Sequence, residues 1–376
     1  MRASWHSRCA GRAFLLGLLA CLVWPRALAS PARNASAYRS VSFLARAAGP
    51  PPPPPPADAS PALLDGCYWG RQVEAALPRG YDVADDEAWR DLVRSSAAVR
   101  LEEGCGRMQN RRVVFEDGSQ ACCRYRQNTD QIQGEIFSFY LGRLLGLRNL
   151  VPSALSLVRR GAPQWARVQP RVAQAQWQDE RAVVLTRNVS RLEAAYIPAR
   201  LRAPDRRLHP RDVPLRGDLA GLAQWTDLVV FDYLTANLDR VVNNLFNQQW
   251  NPAMMDAPAH NLARRRDSGL LVFLDNESGL LHGYRLLAKY ERYHATLLSS
   301  LCVFRRPTAE ALKTLRRDRD VGRLLREAFS AWDPGMADYL PAIPDHSVKI
   351  LNERIDRVFE QVTQCERQYP PRDEAS

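Results

Sequence analysis

The chain is almost without lysine. Among its 376 residues only Lys289, Lys313 and Lys349 are lysines, so the excess of base over acid that gives a formal charge of +11 is arginine nearly throughout. Nothing upstream of position 289 can use a lysine to hold a phosphate. Cys-x-x-Cys pairs are absent too, which speaks against a zinc site or thioredoxin-like exchange. After the first thirty residues no apolar run reaches the ~20 residues of a spanning helix. The nearest, 219–238, is interrupted by Gln224, Asp227, Asp232 and Asn237. A glycine-rich phosphate loop is not evident, since Gly104-Cys105-Gly106 is short and lacks a third glycine. No internal repeat is visible.

What is present begins with a targeting pattern. Arg2, Arg8 and Arg12 precede an apolar stretch at 13–24, and Ala27-Leu28-Ala29 offers small residues for cleavage. Residues 1–29 therefore read as a signal peptide, with a short type II anchor as the alternative. Removing them takes away four arginines and no acid, lowering the charge from +11 to +7. Such a surface attracts acidic partners, heparan-type glycans among them, while a lumenal compartment excludes nucleic acid. Residues 30–63, with seven consecutive prolines, form an extended stem that cannot bury a core. Without Cys9 and Cys21, Cys67, Cys105, Cys122, Cys123, Cys302 and Cys365 remain. Six cysteines in an oxidising lumen allow up to three disulfides. Cys122 and Cys123 point to opposite faces of a strand and so bond to different partners.

The folded part starts near residue 64. Periodicity predicts a helix at 86–99, a hairpin of 112–115 with 120–126 around Glu116-Asp117-Gly118-Ser119, and strands at 151–158 and 182–185. The strongest helix signal runs over 130–145, with Ile132, Ile136, Phe139, Tyr140 and Leu144 as its stripe, a cap at Thr129 or Asp130 and an end at Gly146. A second long helix, 218–236, is capped by Asp218. Residues 159–180 and 198–217 read as loops, 270–274 as a buried strand, and 284–301, 308–330 and 346–367 as helices. A β-rich half with one helix precedes a helical half around one short strand. The expected class is α+β, a two-lobed kinase-like fold with an N-lobe at 64–158 and a C-lobe at 159–376.

Two stretches carry the chemistry. Asp239 followed five residues later by Asn244 matches the D-x-x-x-x-N catalytic-loop pattern, and Asp275 ends an apolar strand where such enzymes hold a metal. Phosphoryl transfer needs an acid to orient the acceptor hydroxyl, oxygen ligands for Mg²⁺ or Mn²⁺, and a cation on the phosphates of ATP. Asp239 is the candidate acid, Asp275 the principal metal ligand, and Asn244 a second group facing the metal. Glu135, on the 130–145 helix, would pair with a cation or add a metal ligand. With lysine missing, Arg124 and Arg126, on one strand face, stand in as the cations. The sequons at Asn34 and Asn188 are candidate glycosylation sites, and a glycan on the third, Asn276, would block the metal site. Arg264-Arg265-Arg266 would dock an acidic substrate or simply be solvated.

Asn237-Leu238-Asp239-Arg240, the strand ending in Asp275-Asn276-Glu277, and the helix from Asp130 through Glu135 resemble the Four-jointed proteins from about residue 64 onward. Those proteins are similar to the secretory-pathway kinases that include the Golgi casein kinase. The resemblance implies a Golgi or secreted Ser/Thr kinase acting on extracellular cadherin domains of the Fat and Dachsous type, tuning planar polarity and growth. It gives Asp239 the catalytic role, Asp275 the metal and Glu135 the place of the helix glutamate. The missing lysine leaves a secreted, non-catalytic modulator of growth as the rival.

Overall fold

The hairpin expected around Gly118 forms the middle of an antiparallel sheet. In the computed structural model, which describes residues 62–371, the five strands of this sheet are β1 (Ala98–Glu103), β2 (Arg111–Phe115), β3 (Gln120–Arg124), β4 (Ser153–Val158) and β5 (Arg181–Arg187). Their spatial order is β1-β2-β3-β5-β4. The signal segment 1–29, nearly all of the stem, and Asn34 lie outside the described residues. At the turn, the Asp117 carboxylate accepts from the Ser119 amide at 2.9 Å and its hydroxyl at 2.6 Å, while Gly118 takes a φ of +82° that a side chain would resist. The sheet draws β5 from beyond residue 158, the expected end of the N-lobe.

Strand parity decides what each face carries. Ala121 and Cys123 point into an apolar layer with Trp89, Phe115 and Trp165, leaving Arg124 on the opposite face. That layer is roofed by α1 (Val83–Ser95), which begins earlier than periodicity predicts because Asp82 and Asp85 form a reciprocal capping box. The next helix, α2 (Thr129–Leu144), carries Glu135. Its cap is Asn128, whose Oδ1 accepts the Asp130 amide at 3.0 Å, rather than Thr129 or Asp130. Nor is it striped: twelve of its sixteen residues are buried, because the sheet covers one side and the helical lobe the other.

The second lobe is built from α3 (Leu219–Thr235), α4 (Val241–Asn247), α5 (Leu287–Ser299), α6 (Arg306–Asp318), α7 (Val321–Trp332) and α8 (Asp345–Gln368). It holds more strand than expected. β6 (Leu192–Tyr196), β7 (Pro258–Arg265) and β8 (Leu271–Phe273) make a three-stranded sheet. The polar run before Asp275 thus supplies β7, and short helices at Gln169–Gln174 and Ala199–Arg202 interrupt segments read as loops. Each arginine of the 264–266 triplet has an acidic partner: Asp218, Asp267 and Glu193 respectively.

Among the described residues two disulfides form, Cys105–Cys122 and Cys302–Cys365. Three would require Cys67 and Cys123 to meet, but they lie buried in different apolar layers as free thiols. The lobes are joined through Asp333, which follows α7. Its buried carboxylate accepts the Leu155 amide of β4 at 2.8 Å and the Tyr140 hydroxyl of α2.

Burial also fixes one protonation state. His294 of α5 is 2% exposed, and burial with the Arg354 charge pulls its pKa down to about 3. Between about pH 6.5 and that value the unfolded chain binds a proton that the folded chain refuses, so stability falls as pH falls through this window. Denaturant unfolding at pH 7.5 and pH 5.5 should show a loss on the order of 1 kcal/mol from this residue. A His294→Leu variant should show a correspondingly flatter pH dependence.

Candidate active site

The loop carrying Asp239 owes its shape to where α3 stops. Asp218 caps the start of α3, accepting the Gly221 amide at 2.7 Å, and Ala236 ends it in the left-handed conformation with φ +51°. Asn237 then accepts the Asp239 amide at 3.1 Å and the Ser278 hydroxyl at 2.7 Å through the same Oδ1. It therefore ties the Asp239 loop to the loop after β8.

Arg240 ties them harder. Its side chain has no exposed surface. It pairs with Asp232 of α3, and donates to the Asn261 carbonyl at 3.1 Å, the Leu274 carbonyl at 2.9 Å and Asn276 Oδ1 at 2.6 Å. Asn276 is 4% exposed and committed to this contact, so its sequon is closed to a glycan in the folded chain. Asp239, one residue away, is half-buried. Burial, then the charge of Asp275, pushes its carboxyl above the usual aspartate range; the charges of Arg107 and His282 pull the other way.

Asp275 sits just past β8 with φ +51°, a conformation rarely adopted by an aspartate outside turns and functional sites. Arg124 Nε lies 3.4 Å from Asp275 Oδ1 and 3.3 Å from Glu135 Oε2, so one guanidinium joins sheet, helix and loop. Burial raises the pKa of Glu135 and Arg124 opposes it; the Asn276 amide donates to the same carboxylate at 2.5 Å. Next to them, Glu277 is 2% exposed and meets Arg126 at 2.5 Å and Arg107 at 3.2 Å. The close approach of α2 needs Gly134, because a Cβ there would stand 2.7 Å from the Glu277 carbonyl and 2.9 Å from that of Gly279.

The structure thus assembles Asp239, Asp275, Glu135, Arg124 and Arg126, but not Asn244. The Asn244 amide group donates to the carbonyls of Met254 at 2.9 Å and Ala257 at 3.3 Å, fastening α4 to the following turn. Asn188 follows β5 half-buried, its amide nitrogen 3.4 Å from Gln120 Oε1. Glu277, Arg107 and Arg240 were missed as site residues. Arg240 follows Asp239 directly and Glu277 stands two residues past Asp275, and this nearness was the only signal for them.

Among the described residues no three His, Cys, Asp or Glu side chains are arranged to hold a metal ion. The donors present nevertheless fit one that arrives with a nucleotide. Asp275 Oδ1 and both Glu277 carboxylate oxygens are buried and meet their arginines outside hydrogen-bond geometry. Mg²⁺ characteristically takes one or two carboxylates and completes its shell with substrate phosphates and water.

A β-rich lobe over a helical one, with two acids and an ion-paired helix glutamate between them, is a kinase-like architecture. Solved structures of the same shape agree. The Golgi casein kinase superposes with a TM-score of 0.51 at 13% identity over 78% of this chain and 77% of that one. Hydra Fam20 gives 0.51 at 14% identity over 76% and 90% respectively. The chain belongs to the Four-jointed box family, whose middle-domain model matches residues 84–368. It is 51% identical over 352 residues to the Drosophila melanogaster protein described as an extracellular serine/threonine protein kinase, covering 80% of this chain and 60% of that one. It is 41% identical over 319 residues to human Four-jointed box protein 1, covering 82% and 72%.

The Arg240 cross-tie yields a stability prediction. Arg240→Ala leaves Asp232 buried without its cation and should cost about 3–5 kcal/mol in urea unfolding. Adding Asp232→Asn should recover part of that loss, since it removes the stranded charge.

Proposed function

We propose that this chain is a Ser/Thr protein kinase of the secretory pathway, transferring phosphate from ATP with Mn²⁺ or Mg²⁺ to extracellular domains of cadherin type. One observation carries the reading: Arg124 joins Glu135 and Asp275 in a single buried ion-paired group. A chain with no lysine before position 289 has thereby put a cation where one is required between sheet, helix and metal loop. Arginine keeps its charge and offers a planar fork suited to phosphate oxygens. The Drosophila relative is described as an extracellular serine/threonine kinase, and the Golgi casein kinase has been solved with Mn and ADP bound. Two disulfides suit an oxidising compartment, which supports the Golgi lumen or the extracellular space as the place of action.

In this reading Asp239 accepts the hydrogen bond of the acceptor hydroxyl and takes its proton as the hydroxyl oxygen bonds to the terminal phosphorus and the bond from that phosphorus to the bridging oxygen breaks, releasing ADP. Its raised pKa makes it a better base than an ordinary aspartate. Asp275 is the oxygen ligand of the divalent ion, and Glu135 holds Arg124 in place for the phosphates. The ion supplies neutralisation of phosphate charge when bound. Arg240 and Asn237 keep the two acids at a fixed separation.

The test is phosphotransfer to purified cadherin repeats. Asp239→Ala should lower kcat by about 10²–10⁴-fold while leaving nucleotide binding intact, and Asp275→Ala should abolish metal-dependent nucleotide binding. The acid limb of the wild-type rate profile should lie at higher pH than an unperturbed aspartate would give, because deprotonated Asp239 is the active form. Wild-type-like transfer by Asp239→Ala would remove Asp239 from the mechanism. Full biological effect of that variant without transfer would favour the non-catalytic modulator.

A further inference from the structure

The segment between β1 and β2 lacks the glycine pattern of a phosphate loop, yet it is constrained as few surface loops are. Gly104, Cys105 and Gly106 have φ values of +145°, +63° and +87°, turning the chain sharply. Cys105 is then bonded to Cys122, two residues before Arg124 on β3. Asn110 closes the loop from its other end. Its Nδ2 donates to the Cys105 carbonyl at 2.7 Å, and its Oδ1 accepts from Arg126 Nη1 at 2.6 Å. The Gln109 carbonyl accepts from Trp177 Nε1 at 2.9 Å. The loop is therefore fixed to β3, which carries Arg124, and to Arg126 just past its end.

Arg107 lies between these ties. Its guanidinium is 3.2 Å from Glu277 Oε1, but Glu277 is already paired at 2.5 Å with the buried Arg126. One carboxylate thus faces two arginines, and the charge of Arg107 is the surplus. Its side chain is 58% exposed, so its hold on Glu277 is weak compared with what a phosphate could offer. Its charge also reaches the Asp239 carboxyl, lowering that group's pKa against the effect of burial.

We propose that Arg107 is a positioning residue for the terminal phosphate of the nucleotide, leaving Glu277 to bind it, and that the Cys105–Cys122 disulfide holds it in place. This inference rests on the kinase reading and adds to it the group that distinguishes a triphosphate from a diphosphate. It also makes ATP binding depend on the redox state of one particular cysteine pair. An open loop spends less time in the competent geometry, and apparent affinity falls by that fraction.

Calorimetric titration of the full chain with Mn²⁺-ATP and Mn²⁺-ADP tests it. Arg107→Ala should weaken ATP about tenfold or more while changing ADP less than about threefold, and Arg107→Lys should recover part of the ATP loss. Cys105→Ser/Cys122→Ser should reproduce the ATP-selective loss, with retained ADP binding reporting that the protein is folded. Equal ATP affinity in wild type and Arg107→Ala would overturn the inference and leave the kinase reading standing. Parallel loss of ATP and ADP would assign Arg107 a structural role and overturn it as well. A wild-type chain that binds neither nucleotide takes both proposals down together.

Discussion

A guanidinium with no exposed surface must be matched bond for bond, or its burial costs several kcal/mol. Arg240 meets that requirement with Asp232, two backbone carbonyls and Asn276. Those partners come from α3, from β7 and from the loop that follows β8, so satisfying one side chain fixes three segments against each other. Asp239 is its neighbour in sequence, and Asp275 lies between two of its acceptors. The separation of the two acids is thus set by hydrogen bonds that neither acid makes.

The shortage of lysine shapes the rest of the cleft. An arginine takes the place of the cation here, and Arg124 touches both Glu135 and Asp275. Strand parity puts it there: Cys123 belongs to the apolar layer under α1, so Arg124 must face α2. The helix can come close enough because residue 134 is a glycine, and it is held there by packing on nearly every side. The contact of Asp333 with Tyr140 and Leu155 then joins the far end of α2 to both lobes.

Much of this was legible in the sequence. The hairpin, α2, α3 and the strand before Asp275 were expected nearly where they lie, since each combines a clear period with turn or cap residues. A cation partner was one of two roles expected for Glu135, with Arg124 and Arg126 both offered; the fold puts Arg124 on Glu135 and Arg126 on Glu277. What escaped was set by tertiary context. Leu192–Tyr196 has too short an alternation to announce a strand, and becomes one only because β7 pairs with it. Asn244 fits a spacing pattern, yet the carbonyls of Met254 and Ala257 claim its amide. The cysteine count allowed three bridges, but the core separates Cys67 from Cys123. The importance of Arg240 and Glu277 lies in their partners, which no local pattern reveals.

The central claim is that the Arg124, Glu135 and Asp275 group is a nucleotide and metal site whose cation is an arginine. A crystal structure of the chain with Mn²⁺ and a non-hydrolysable ATP analogue tests this most directly. The account predicts an Asp275 carboxylate oxygen bound directly to Mn²⁺, with Arg124 still on Glu135 but turned from Asp275 to the phosphates. Nucleotide found elsewhere, or Arg124 still bridging both carboxylates with no metal on Asp275, would contradict it.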